Sequence, residues 1–310
     1  MGWRWRKTIG RGPFRWTLSR RGVGWSFGIP GLRYGHSPSG RPYVSVGIPG
    51  TGLYWIKYFN GSSSASRQGG RLGRGHPMNQ EPYSGFKVTE QEFADNPDPR
   101  VPCVLLLDTS ASMSGEPIAE LNLGLQQYRD ELLMDNLASR RVEVAIFRFG
   151  GDVGLERDFV TARQFDPPSL QANGHTPMAE AIVRGIKHLE ERKATYQSNG
   201  VAYCRPWIFL ITDGEPTDGD EAWRVACEAV RLGEQQKKFT FFAVGTGAAN
   251  YEKLRQLSPT RQPLRLKGIA FREMFRWLSN SQTRVSQSQV GTHIALPPAT
   301  GDGGWADVPT

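Results

Sequence analysis

The sequence predicts an α/β fold over residues 100–281, a doubly wound and mostly parallel sheet, preceded by a small all-β domain over residues 1–60. Apolar runs of strand length at 102–107, 142–149, 206–212 and 239–245 alternate with segments of helical period. That alternation is expected of parallel strands covered on both faces. The first 60 residues instead alternate at period two, the mark of half-buried strands.

In the amino-terminal part, Trp3 and Trp5 alternate with Arg4 and Arg6, and Phe14, Trp16 and Leu18 with Arg15, Thr17 and Ser19. Val23, Trp25, Phe27 and Ile29 alternate with small residues. A weak repeat, Gly28-Ile29-Pro30-Gly31-Leu32 and Gly47-Ile48-Pro49-Gly50-Thr51-Gly52-Leu53, places a Pro-Gly turn after each of two strand-like runs. The opening Met1-Gly2-Trp3-Arg4-Trp5-Arg6-Lys7, with Gly22-Val23-Gly24 and both Pro-Gly turns, resembles a small bacterial domain family of unknown function. The resemblance implies a fold and a bacterial source, but no activity. Residues 61–99 open on Gly, Ser and Arg and are expected to form a flexible linker.

Beyond the linker, Ile118, Leu121, Leu125, Tyr128 and Leu132 share one stripe of a first helix, and Met178, Ile182, Ile186 and Leu189 one stripe of a second. Trp223, Ala226 and Val230 mark a third, and Phe271, Met274, Phe275 and Leu278 a last. Residues 153–160 follow the strand at 142–149 after only Gly150, Gly151 and Asp152, which predicts an antiparallel edge. Residues 282–310 are polar and then rich in Pro and Gly; a disordered tail is expected, with Trp305 as an exposed aromatic in it.

Charge divides the chain. Residues 1–80 hold thirteen Lys and Arg and no Asp or Glu, whereas the remaining twenty-five basic residues face thirty acidic ones. Two modules with different partners are implied. The thirteen cations, ten of them within residues 1–60 and interleaved with aromatic rings, suit nucleic acid, an anionic membrane surface or an acidic protein through residues 1–60.

The chemistry-bearing pattern is Asp108-Thr109-Ser110-Ala111-Ser112, at the end of the apolar run Val104-Leu105-Leu106-Leu107. A hydroxyl, Thr176, and a carboxylate, Asp213 after the run 207–212, follow in order. Hard divalent cations prefer such oxygen donors, and Mg2+ keeps several of its waters. With hydroxyls on the ion and the aspartates behind its waters, the ion stays electrophilic toward one more anionic oxygen from outside.

These residues resemble the metal-ion-dependent adhesion site of von Willebrand factor A domains. The resemblance implies Ser110, Ser112 and Thr176 as direct or near-direct ligands of Mg2+ (or Mn2+ or Ca2+), Asp108 and Asp213 as water-mediated anchors, and a partner protein whose Asp or Glu completes the shell. The stretches 107–118 and Thr212-Asp213-Gly214-Glu215-Pro216-Thr217-Asp218 are more similar to the bacterial TerY-like, tellurite-resistance type than to integrins. That likeness implies an adaptor in a stress-response or conflict system with kinase and phosphatase partners. His175 departs from the small residues common before the threonine; it is expected to be a solvated loop residue.

Enzymatic readings lack parts. A haloacid-dehalogenase-type phosphatase needs a second carboxylate two residues after Asp108, where Ser110 stands. Neither a P-loop nor a His-Glu-x-x-His motif occurs. The acidic residues Glu215, Asp218, Asp220 and Glu221 read as a solvated turn and first helical turn. No apolar run of ~18 residues predicts a transmembrane segment, the amino terminus lacks a signal-peptide core, and three cysteines, an odd number, suit a reducing cytoplasm.

Overall fold

The computed structural model describes residues 6–9, 14–19, 22–29, 32–36, 42–47 and 54–58, and then 93, 95–258 and 260–309. The chain divides into two units, Met1–Gln80 and Glu81–Thr310.

The first unit is a six-stranded antiparallel meander: β1 (Arg6–Ile9), β2 (Phe14–Ser19), β3 (Gly22–Ile29), β4 (Leu32–His36), β5 (Pro42–Gly47) and β6 (Tyr54–Tyr58), paired in chain order. The period-two pattern becomes strand, and Ile29 pairs with Leu32 across Pro30 and Gly31. Gly24-Trp25-Ser26-Phe27-Gly28 has the Gly-x-Ser-x-Gly spacing of a hydrolase elbow. Ser26, however, lies mid-strand, opposite Arg15 and Gly35, and not on a strand-to-helix turn. Trp3, Trp5 and the second Pro-Gly turn lie outside the described residues.

The second unit is a mixed seven-stranded sheet in the order β13-β12-β11-β10-β7-β8-β9. Its strands are β7 (Val101–Asp108), β8 (Val142–Gly150), β9 (Asp152–Thr161), β10 (Trp207–Thr212), β11 (Thr240–Gly245), β12 (Leu264–Leu266) and β13 (Ala306–Asp307). β8, β7, β10, β11 and β12 run parallel, while β9 and β13 run antiparallel at the two edges. The helices are α1 (Glu116–Met134), α2 (Asn136–Arg141), α3 (Met178–Ser198), α4 (Asp220–Gln235), α5 (Tyr251–Leu257) and α6 (Phe271–Ser286).

Side chains of β7 alternate between the two faces. Cys103, Leu105 and Leu107 join a core with Leu121 and Leu125 of α1 and Phe271 and Phe275 of α6. Val104 and Leu106 join the other, with Ile182 and Ile186 of α3 and Trp223 of α4. Each of these leucines is fully buried, and full burial of such a side chain contributes about 1.5–3 kcal/mol. The central strands are thereby fixed between two apolar layers, and their carboxyl ends carry the loops described below.

Two boundaries are corrected. Residues 61–92 lie outside the described residues, but 95–99, expected in the linker, are bound to the α/β unit. The Asn96 amide donates to the Arg140 carbonyl at 2.8 Å, and Asp98 pairs with Arg140 at 3.0 Å and Arg141 at 3.3 Å. The tail expected to be disordered over 282–310 is also built into the fold. Residues 282–286 complete α6, Ala306–Asp307 pairs with β12, and Trp305 is buried against Trp277 with ring centroids 5.7 Å apart. Trp277 and Trp305 bury each other, which offsets the cost of ordering a polar, Pro-rich segment.

Candidate metal centre

Strands β7 and β10 are neighbours, with Leu107 paired to Ile211, so the loops after Asp108 and Thr212 leave the sheet side by side. Parallel sheets bind ligands beyond this edge. Asp108 is fully buried and tied at both oxygens: Oδ1 accepts the Ser110 amide at 2.8 Å, and Oδ2 accepts the Thr212 hydroxyl. The Ser110 and Ser112 hydroxyls stand 3.0 Å apart, and Ser112 Oγ donates to Asp213 Oδ1 at 2.7 Å.

Thr176 reaches the same place from a third loop. Its amide donates to Thr217 Oγ1 at 3.1 Å, and its carbonyl accepts the Thr217 amide at 3.0 Å and the Met178 amide at 2.8 Å. Asp218 then accepts the Ala179 and Glu180 amides at 2.8 and 3.3 Å, capping α3 where Pro177 has no capping side chain. The acidic run is thus partly structural: Asp218 is a cap, while Asp220 and Glu221 occupy the first turn of α4 as expected.

Gly214 marks the point of convergence. A Cβ there would lie 3.4 Å from Thr176 Oγ1 and 3.8 Å from both Asp108 Oδ2 and Ser112 Oγ. Oxygens from two loops, that of residues 108–112 and that of Thr176, thus face the loop of Gly214. With Ser110 beside Ser112 and Asp213 bonded to it, all five residues singled out in the sequence meet around one cradle.

The surrounding loops are zipped by backbone. Thr109 N donates to Phe149 O, Asn173 N to Thr109 O at 2.7 Å, Ala111 N to Gly174 O, and Gly151 N to His175 O. Gly150 and Gly174 permit this approach: a Cβ at Gly150 would fall 2.2 Å from the Thr109 carbonyl oxygen, and Gly174 has φ +73°. His175 is exposed.

Burial raises the pKa of Asp108 from its ordinary value, against the hydrogen bonds of Ser110 and Thr212 and with a further push from Asp213. Burial likewise raises Asp213, against the Ser112 hydrogen bond. Among the described residues no group of three or more His, Cys, Asp and Glu gathers as a metal cluster. A cation here would rest on hydroxyls as much as on carboxylates, a donor set that suits a hard ion and not a soft one.

Residues 103–273, more than half of the chain, match the von Willebrand factor type A domain. The chain belongs to this family. Residues 3–56 match a protein family of unknown function, DUF4236. Similar solved structures include the manganese-loaded Plasmodium vivax TRAP protein, 18% identical over 57% of this chain and 73% of that one with a TM-score of 0.41. Proximal thread matrix protein 1 of the mussel byssus is 13% identical over 60% of this chain with a TM-score of 0.42; the match spans about half of its length, 48%. The vWF domain of the type V pili tip protein Mfa5 from Porphyromonas gingivalis is 10% identical over 63% and 99%, with a TM-score of 0.44. No curated protein matches the chain.

In this von Willebrand factor A unit, the sequence placed Thr212, Gly214 and Thr217 in the motif stretch without giving them a role, and gave none to the backbone of Thr109. The signal was available in part: Thr212-Asp213-Gly214 supplies a hydroxyl, a carboxylate and a residue without Cβ in succession. Sequence reasoning missed the other end of the sheet. There Glu143, near the start of β8, is fully buried and accepts Arg100 Nε and Arg192 Nε at 2.8 Å each. The Tyr196 hydroxyl donates to the same carboxylate.

Proposed function

We propose that this chain is a non-enzymatic adaptor that captures a partner protein through a divalent cation held by Ser110, Ser112 and Thr176, with Asp108 and Asp213 behind the ion's waters. The convergence of these five side chains beside Gly214 carries the proposal. Mg2+ is the expected occupant, with Mn2+ or Ca2+ as substitutes. Three neutral hydroxyls leave most of the ion's charge uncompensated, so a carboxylate from the partner is the favoured sixth donor. Catalysis is not expected, because Ser110 stands where a second metal-binding carboxylate would be needed.

The sequence likeness to the TerY-like type supports a setting in a bacterial stress-response or conflict system with kinase and phosphatase partners. Three free thiols suit a cytoplasmic location. Among the described residues no helix is long and apolar enough to cross a membrane.

The test is capture of partners from the native source by the full chain in Mg2+, with parallel calorimetric titration of the ion. Capture and ion binding should both be lost in EDTA and in Asp108→Ala and Ser112→Ala, whose side chains lie at the sheet's rim. Asp213→Ala should weaken both, whereas His175→Ala should change neither. Capture that survives EDTA and the Asp108/Ser112 double substitution would refute the reading.

A second reading rests on the thirteen cations and no acid of residues 1–80: the chain binds nucleic acid or an anionic membrane, with the A domain as regulator. It requires binding at low salt that falls steeply as salt rises. Salt-independent binding, or none to nucleic acid or anionic vesicles, would dismiss it.

A further inference from the structure

A pocket of about 280 Å³ opens beside the metal loop. Its lining includes Thr109, the residue between Asp108 and Ser110, and Asn173, three residues before Thr176. The two sites thus share a loop on each side. The far wall is held in place from α1, where the Asn122 side chain donates to the Leu170 carbonyl at 2.9 Å and accepts the Leu170 amide at 2.8 Å.

The charge of the lining is unbalanced. Arg148, its one cation, donates to Asp152 Oδ1 at 2.6 Å and to Glu156 Oε1 at 2.7 Å. A Cβ on Gly154 would lie 3.1 Å from the Arg148 guanidinium, so glycine allows that group to lie close against β9. Each carboxylate therefore spends one oxygen on Arg148 and keeps acceptor capacity on the other, and the lining carries a formal charge of minus one. Arg184 is adjacent but outside the lining, where it donates to the Val153 carbonyl and pairs with Glu180.

These facts restrict the occupant. An anion would meet two carboxylates and an arginine whose Nε and Nη1 are already engaged by them. The pocket's volume of about 280 Å³ lies at the small end of ligand sites, which typically enclose about 300–1,000 Å³. A lysine or arginine side chain fits both constraints, bringing a narrow stem and a head that only donates. We infer that this pocket takes a basic side chain of the same partner, so that the recognised element pairs an Asp or Glu on the ion with a Lys or Arg a few residues away. The inference rests on the metal-dependent reading above and adds to it the chemistry of the partner.

The test is selection of a random peptide library on the full chain in Mg2+, with elution by EDTA. Eluted peptides should be enriched in Asp or Glu with Lys or Arg within about four residues, and replacing that basic residue by Ala should weaken a selected peptide about fivefold, the upper end for an exposed ion pair. The Asp152→Asn/Glu156→Gln variant should keep the acidic enrichment and lose the basic one. Gln171→Lys, which fixes a cation at an exposed position of the lining without touching an ion pair, should act the same way. Acidic enrichment without basic enrichment, or basic enrichment unchanged in both variants, would overturn the pocket assignment and leave the adaptor reading standing. Absence of any EDTA-eluted enrichment would sink both.

Discussion

Gly214→Ala separates the site from the fold more cleanly than removal of a ligand. The added methyl carbon would sit 3.4 Å from Thr176 Oγ1 and 3.8 Å from Asp108 Oδ2 and Ser112 Oγ, which is ordinary contact for a folded chain. Gly214 is also not among the positive-φ glycines. The ion-free variant should therefore match the parent within about 1 kcal/mol, since Gly→Ala at a tolerant backbone position shifts stability by only about 0.4–1 kcal/mol. A cation bound to these oxygens at about 2.0–2.1 Å, with its waters, needs the same space. Loss of one water position or displacement of the ion should weaken binding tenfold or more, about 1.4 kcal/mol.

The assay is thermal unfolding with and without Mg2+, at a concentration 100-fold above the parent's Kd. Binding then stabilises the parent by about 2.7 kcal/mol, and a tenfold weaker variant by about 1.4 kcal/mol. At about 2–4 °C per kcal/mol for a unit of this size, the increments are roughly 5–11 °C and 3–6 °C. Equal Mg2+ increments in the two proteins would refute placement of the ion beside Gly214. An ion-free loss above about 2 kcal/mol would show instead that glycine is needed for the loop itself.

Other expectations concern the scaffold. Glu143→Gln leaves Arg100 and Arg192 buried without their counter-charge and should cost about 3–5 kcal/mol in urea unfolding, with Mg2+ affinity unchanged; a loss under 1 kcal/mol would contradict the pairing. Trp305→Ala should free the segment after α6 from Trp277 and cost about 3 kcal/mol, seen as faster limited proteolysis after residue 287; an unchanged cleavage rate would show that the segment is held by other contacts. The pKa of Asp158 is lowered: burial pushes it up, but the His188 hydrogen bond and charge, the Phe159 amide and Arg192 together outweigh burial. Its contribution is present above the unfolded carboxyl pKa and lost as pH falls through the lower folded value. His188→Ala should accordingly move the acid-unfolding midpoint upward, and an unmoved midpoint would remove Asp158 from the acid limb.

The elements legible in the sequence were those with a repeating signal. β7, β8, β10 and β11 fall within a residue or two of the apolar runs, because burial on both faces makes each strand a nearly continuous apolar stretch. The stripes of α1, α3, α4 and α6 were equally plain, since each packs one face on the sheet. β12 and β13, of three and two residues, are too short for a period. The order of the tail depends on Trp277 meeting Trp305, 28 positions apart in a segment whose composition reads as unstructured. At the candidate site the five residues were readable as a group because their order along the chain follows the sheet's crossover connections. Thr217 and Asp218 were not, because their task is to hold Thr176 and the start of α3, and only proximity in space reveals it.

Glu143 shows why stability and binding are set apart in this fold. Arg100 directly precedes β7 and Asp108 ends it, so the two lie about 26 Å apart at about 3.3 Å per strand residue. At the amino end, Glu143 meets Arg100, Arg192 and Tyr196, while Phe93 lies with its ring centroid 5.5 Å from the Arg100 guanidinium and 5.2 Å from that of Arg192. That cluster holds one carboxylate between two guanidiniums, with Arg100 and Glu143 fully buried and Arg192 nearly so. At the carboxyl end, hydroxyls predominate and burial disfavours the charged form of both carboxylates, a cost that a cation beside them would offset. The amino end is thus built from buried ion pairs that hold the strands, whereas the carboxyl end is built from loops and hydroxyls. Because more than 10 Å and no shared partner separate them, the stability effects of Glu143→Gln and Gly214→Ala should add to within about 0.5 kcal/mol. A larger coupling would mean that β7 transmits strain along its length and that the two ends are not independent.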